Sequence, residues 1–211
     1  MPEQEHFNKK LLVEGNEDKH VILALREREN IPKNFEIIDC KGIERLFRDI
    51  PRRIEESDIE VVGVIIDADD NLTGRWQRIS QILLRAGFNV PENIPETGLL
   101  LTHHDTGIKV GIWIMPDNNI NGMLEDFMRF LIPAGDDLLP IANDTLSEIE
   151  RQNFNRYSLV HKSKALIHTW LAWQEEAGKP LGQSITMRYL NTDNETCARL
   201  LAWIRTTFQS E

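Results

Sequence analysis

A chain of 211 residues with 41% hydrophobic composition can bury one good core and is short for two full-sized domains. Its formal net charge of -10 argues against a diffuse electrostatic grip on nucleic acid, which draws on surplus Lys and Arg. No run approaches the roughly 20 apolar residues that span a bilayer, MPEQEHFNKK has no apolar signal-peptide centre, and Cys40 and Cys197 sit in no CxxC or Cys/His spacing; the expectation is a cytoplasmic protein with no membrane partner, disulfide framework or zinc site.

In chain order, KLLV (10–13), FEIIDC (35–40) and VVGVIID (61–67) are short, branched-rich apolar runs of the kind covered on both faces in a parallel sheet. Helical patterns separate them: Val21, Ile22 and Leu25, then Ile43, Leu46, Phe47, Ile50 and Ile54, with Pro51 kinking or ending the second. Strand, helix, strand, helix, strand predicts right-handed βαβ units. After a helix over 73–87, GLLLTHHDTGIKVGIWIM predicts two strands around a tight turn at Asp105, Thr106 and Gly107, with His103 and His104 on opposite faces.

Beyond residue 121 the pattern turns helical: GMLEDFMRFLI, a segment opened by a Thr145/Glu148 capping box, and HKSKALIHTWLAWQEEAG. A last helix is expected after a Thr192/Glu195 box, with Cys197, Leu200, Leu201, Ile204 and Phe208 on one stripe. Trp170, Trp173 and Trp203 are expected to anchor a core. The architecture expected is α/β, a Rossmann-type, mainly parallel sheet with helices on both faces, residues 1–120 forming the core and 121–211 a helical extension packed on it.

Functional groups of open parallel sheets gather at the carboxyl ends of the strands, near the point where strand order reverses. Glu14 ends the first strand in KKLLVEGNEDKHVI; Asp67 and Asp69 end the third in VVGVIIDADDN. Acids meeting on one rim repel unless a cation lies between them, and Mg²⁺ is the hard, oxygen-seeking ion that suits them; Asp18, one helical turn beyond Glu14, can add a ligand. Two segments are locally basic: KGIERLFRDIPRR (41–53), and TGRWQRISQILLRAG (73–87), in which Arg75, Arg78 and Arg85 fall within about a quarter of the helix circumference. The arginines of the second are candidates for holding a nucleic-acid backbone.

LLVEGNEDK followed by VIIDADDN resembles the Toprim domain, whose pattern is a Glu after the first strand and an Asp-x-Asp after the third; LVEGxxD, here Leu12 to Asp18, is closest to the nuclease branch typified by the overcoming-lysogenization-defect (OLD) proteins. GIWIMPDN, GMLEDF and KALIHTWLAWQEE are similar to bacterial Toprim-like proteins without an established activity. The resemblance implies a Toprim-like fold, bound Mg²⁺ or Mn²⁺ and phosphodiester cleavage, with Glu14, Asp18, Asp67 and Asp69 as metal ligands. It further implies another acid and a downstream lysine, for which Glu125 (Asp126 second) and Lys162 (Lys164 second) are the candidates. The function expected is a metal-dependent, nuclease-like phosphodiesterase acting on DNA or RNA. The alternative is a non-catalytic scaffold or regulatory subunit working with an ATPase or defence partner; homo-oligomerisation stays open.

Overall fold

The computed structural model describes residues 7–209; residues 1–6, where the stretch inspected for a targeting signal begins, and residues 210–211 lie outside the described residues. Five strands, β1 (Lys9–Val13), β2 (Glu36–Asp39), β3 (Val61–Asp67), β4 (Leu99–Thr102) and β5 (Lys109–Met115), form one sheet in the order β2-β1-β3-β5-β4. All neighbours are parallel except β4, which runs antiparallel to β5. The helices are α1 (Asn16–Arg28), α2 (Ile43–Ile54), α3 (Leu72–Arg85), α4 (Leu124–Phe130), α5 (Leu138–Arg151), α6 (Lys162–Ala172), α7 (Leu181–Thr186) and α8 (Glu195–Phe208). The fold is α/β, as its alternating pattern predicts.

The uninterrupted apolar runs reflect burial on both faces. Leu11, Val13, Val61, Ile65, Trp113 and Met115 pack with buried residues of α1, α4, α6, α7 and α8. Their neighbours along the strands, Leu12, Val62, Val64, Ile66, Val110, Ile112 and Ile114, pack with Leu46, Phe47 and Ile50 of α2 and Trp76, Ile79 and Leu83 of α3. Period-two alternation therefore feeds two cores, one per face.

Paired Gly63 and Gly111 make a trough on the first face into which α8 settles. A Cβ on Gly63 would stand 2.6 Å from Phe208 Cζ, and one on Gly111 would stand 2.7 Å from Thr207 Cγ2. Small residues here let the last helix reach the centre of the sheet. Among the described residues no helix is long and apolar enough to cross a membrane.

Four local expectations are corrected. Pro51 does not end α2, which runs on to Ile54, where Arg53 ties to Glu56 at 2.9 Å one turn further. Thr145 and Glu148 are inside α5 and do not cap it; the Thr145 hydroxyl donates to the Ile141 carbonyl at 2.8 Å, and Asp136 Oδ1 accepts from the Leu139 N–H at 2.7 Å at the true start. The N-cap of α8 is Asn194, which accepts from the Thr196 N–H at 2.8 Å, while the Thr192 hydroxyl donates to Glu29 at 2.6 Å. Trp170 and Trp203 are buried, but Trp173 is exposed because α6 has already ended at Ala172.

Candidate metal centre

Strand order reverses between β1 and β3: β1 leads on one side to β2, and the chain then crosses to place β3 on the other. The carboxyl ends of these two strands lie side by side, Val13 opposite Ile65. Loops close in around them. The Cys40 N–H donates to the Val13 carbonyl and the Gly42 N–H to the Glu14 carbonyl (3.0 and 2.8 Å), while the Asp69 N–H donates to the Gly122 carbonyl at 2.8 Å. The β2–α2 connection, the β3–α3 connection and the start of α4 thus share one rim.

That rim encloses a cleft of about 490 Å³ lined by seven carboxylates, Glu14, Glu17, Asp18, Asp39, Asp67, Asp69 and Glu125, with Lys41 and Lys164 as its lysines. Glu14, Asp18, Asp67, Asp69 and Glu125, the metal candidates read from sequence, are therefore brought together. Glu14 is half-buried; Asp18 and Glu125 are buried. Asp67 Oδ1 accepts from the Leu124 N–H at 2.9 Å, which fixes it at the start of α4. Asp18 Oδ2 accepts from the Gly15 N–H at 3.1 Å. Two oxygens on this rim, Glu14 Oε2 and Asp18 Oδ1, are buried without a hydrogen-bond partner.

The electrostatics follow. Burial and then the charges of Asp18, Glu14, Glu125 and Asp69 push the Asp67 carboxyl well above the usual range. Burial, with Glu14 and Glu125, lifts Asp18 to about 7 against the pull of backbone N–H groups. Glu14 is raised by burial and by Asp69, with Arg75 and the Asp67 N–H opposing. Protons are held because negative charge is crowded out of water. A hard divalent cation relieves the same crowding, and bare carboxylate oxygens are the donors it takes. The residues present fit Mg²⁺ or Mn²⁺.

The basic candidates separate. Lys162 is not brought to the rim: its ammonium lies 2.6 Å from Glu150 on α5. Lys164, half a turn on, stands 3.0 Å from both Glu17 and Glu125; burial works against its charge, but the two acids outweigh it and its pKa is raised. Glu17, Glu125 and His168 also place ligand atoms within 4.8 Å of one another, and the Lys164 ammonium already engages two of these three groups. Asp126, the second choice for the further acid, instead caps α4: its Oδ2 accepts from the Met123 N–H at 3.0 Å and its Oδ1 from the Ser163 hydroxyl.

Of the α3 arginines, Arg75 pairs with Asp69 at the rim. Arg78 gives both its terminal nitrogens to Glu44 (2.8 and 2.7 Å) and stacks 4.0 Å over the Phe47 ring. Arg85 lines another cleft with Glu55, Glu56 and His103; ten residues separate it from Arg75, about 15 Å along the axis. One helix face is shared, one site is not. His103 accepts from the Asp105 and Thr106 N–H groups (3.2 and 3.3 Å), a turn-forming role.

Sequence reasoning passed over Asp39 and Lys41. The signal was present for Asp39, an acid at the carboxyl end of β2 just as Glu14 follows β1.

A family model described as "Protein of unknown function (DUF3226)" matches residues 8–209. The chain belongs to that family. Among curated proteins none matches this DUF3226 chain. Among solved structures it is similar to the C-terminal region of the Xanthomonas campestris pv. campestris OLD protein. In the iodine-phased structure the TM-score is 0.47 at 16% identity, covering 97% of each chain. The mercury-phased one gives 0.41 at 15% identity over 98% of this chain and 95% of that one.

Proposed function

We propose that the protein is a Mg²⁺- or Mn²⁺-dependent phosphodiesterase acting on nucleic acid, with Glu14, Asp18, Asp67, Asp69 and Glu125 holding the cation. The observation that carries this reading is the pair of buried, partnerless oxygens, Glu14 Oε2 and Asp18 Oδ1, in a cleft crowded with carboxylates. Acids that serve only to hold the fold are surrounded by donors, because an unsatisfied buried oxygen costs about 1–3 kcal/mol. The Toprim-like motifs that supply Glu14, Asp18, Asp67 and Asp69 point the same way.

When bound, the ion would neutralise the rim, polarise a phosphoryl oxygen and make a water more acidic. The chain's own residues do the rest. Asp67 is pinned by the Leu124 N–H, so its other oxygen keeps one direction. Arg75 orients Asp69. Lys164 takes the role read for Lys162: its ammonium lines the cleft and can pass from Glu125 and Glu17 to a non-bridging phosphate oxygen.

The test is an end-point cleavage assay on single- and double-stranded DNA and on RNA with Mg²⁺ or Mn²⁺, comparing wild type with Glu14→Ala and Asp67→Ala. The expected result is chelator-sensitive cleavage that both variants lose. Wild type inert on every substrate, or equal activity in all three proteins, sinks the reading.

A second reading, a non-catalytic regulatory or scaffold subunit working with an ATPase partner, is favoured by one observation: Arg75 already supplies a cation to Asp69. Thermal-shift titration separates the two. A cation-holding rim gains about 2.7 kcal/mol at a Mn²⁺ concentration 100 times Kd, and an inert one gains nothing.

A further inference from the structure

The two basic segments differ in what their arginines have left to give. On α3, Arg75 and Arg78 are spent on Asp69 and Glu44. On α2, Arg45 and Arg48 have no ion-pair or hydrogen-bond partner among the described residues, and Arg52 reaches Glu56 only at 4.0 Å. All three are exposed, as is Lys41 at the mouth of the helix. Together with Asp39, Cys40 and Asp49 they line one cleft of about 490 Å³, four cations against two acids, in a protein of net charge -10.

Helix geometry makes this a track. Positions 45, 48 and 52 fall within about 60° of one another and span about 10 Å along the axis. Phe47 and Glu44, which meet Arg78, mark the side turned to α3; the arginine stripe is centred about 100° round the helix from it, with Arg48 one turn beyond Glu44, and shares its cleft with Asp39 at the sheet's outer strand. Asp39 and Lys41 line both this cleft and the carboxylate cleft, so the two adjoin.

We propose that the α2 stripe, Arg45, Arg48 and Arg52 with Lys41, seats the phosphodiester backbone of a nucleic-acid strand leaving the carboxylate cleft. Guanidinium groups suit phosphate oxygens bidentately. One strand of a duplex advances about 3.4 Å per phosphate, so the stripe is long enough for about three. The stripe also resolves a difficulty of the proposed function, on which this inference rests for its substrate: an acidic rim repels a polyanion, and a cationic lane beside it, paired only weakly at Arg52, lets the strand approach.

The experiment is fluorescence anisotropy on the full chain in Ca²⁺ and in chelator, with a labelled single strand and the matching duplex, from about 50 to about 200 mM salt. Replacing Arg45, Arg48 and Arg52 together by Ala weakens binding at low salt by roughly tenfold or more. It also lowers the log–log salt slope on duplex by about 2.7, so that about 40-fold less affinity is lost across that range. The triple Lys variant keeps most of the binding, and Arg78→Ala with Arg85→Ala stays within about twofold of wild type.

No binding by wild type, an Ala triple equal to wild type, loss in the Lys triple, or competition by polyglutamate as strong as by nucleic acid of equal charge would each overturn the proposal. A chain that binds through the stripe and cleaves nothing keeps this inference and loses the phosphodiesterase reading.

Discussion

Helices α1 and α4 begin with the same device. In each, an aspartate three residues into the helix folds back to the N–H of the residue before the first turn: Asp18 to Gly15 at 3.1 Å, Asp126 to Met123 at 3.0 Å. What each does with its second oxygen differs. Asp126 receives the Ser163 hydroxyl there and is complete; Asp18 leaves Oδ1 buried and bare beside Glu14, Asp67 and Glu125. A helix cap needs one oxygen, so the unspent one distinguishes a structural acid from a candidate ligand.

Substitution at the two positions should break the symmetry. Asp18→Asn keeps an oxygen for Gly15 but removes the charge, and the expected loss of Mn²⁺ affinity and of divalent-dependent cleavage is roughly 10- to 100-fold. Asp126→Asn should leave both within about threefold. Calorimetric Mn²⁺ titration with a parallel cleavage assay measures this; equal losses at the two positions would erase the distinction.

The next effect is on stability and of opposite sign. Asp18 titrates near 3.8 ordinarily and about 7 when folded. Below the lower value the carboxyl is protonated in both states; between the two only the folded protein binds the proton, so stability is lost as pH rises through 7. In chelator, Asp18→Asn should therefore stabilise the fold by roughly 1–3 kcal/mol at pH 8, and the gain should vanish near pH 4. Asp126→Ala, which loses a cap and the Ser163 contact, should cost about 1–2 kcal/mol. Urea melts across pH give both numbers, and a pH-independent Asp18→Asn gain would contradict the electrostatic account.

This comparison also marks how far the sequence could be read. Strands, their order of appearance and the acids at their ends were legible because parallel-sheet burial writes unbroken apolar runs, and the first residue after such a run lands on the rim. Glu125 rather than Asp126 was a choice between adjacent letters that only rotation about α4 settles. The capping boxes at Thr145 and Thr192 failed because Ser/Thr-x-x-Glu is not confined to helix starts: Thr145 lies inside α5 with its hydroxyl bonded to a carbonyl one turn back, and Thr192 lies ahead of the Asn194 cap and gives its hydroxyl to Glu29. Which arginines are free was not legible, because Glu44 meets Arg78 from a separate helix.

Lys162 and Lys164 sharpen the comparison at its lowest magnitude. Two residues apart on α6, they point to different acids: Lys162 to Glu150, 38% and 19% exposed as side chains, and Lys164 to Glu125, whose side chain is only 6% exposed. Lys162→Met breaks a solvent-screened pair and should cost at most about 0.5–1 kcal/mol, leaving cleavage unchanged. Lys164→Met strips the cation from a buried acid, so its signature lies in function: divalent-dependent turnover should fall while Mn²⁺ binding holds or tightens, since a competing ammonium has gone from between Glu17 and Glu125. If Lys162→Met proved the more damaging to turnover, the assignment of the rim lysine would have to be reversed.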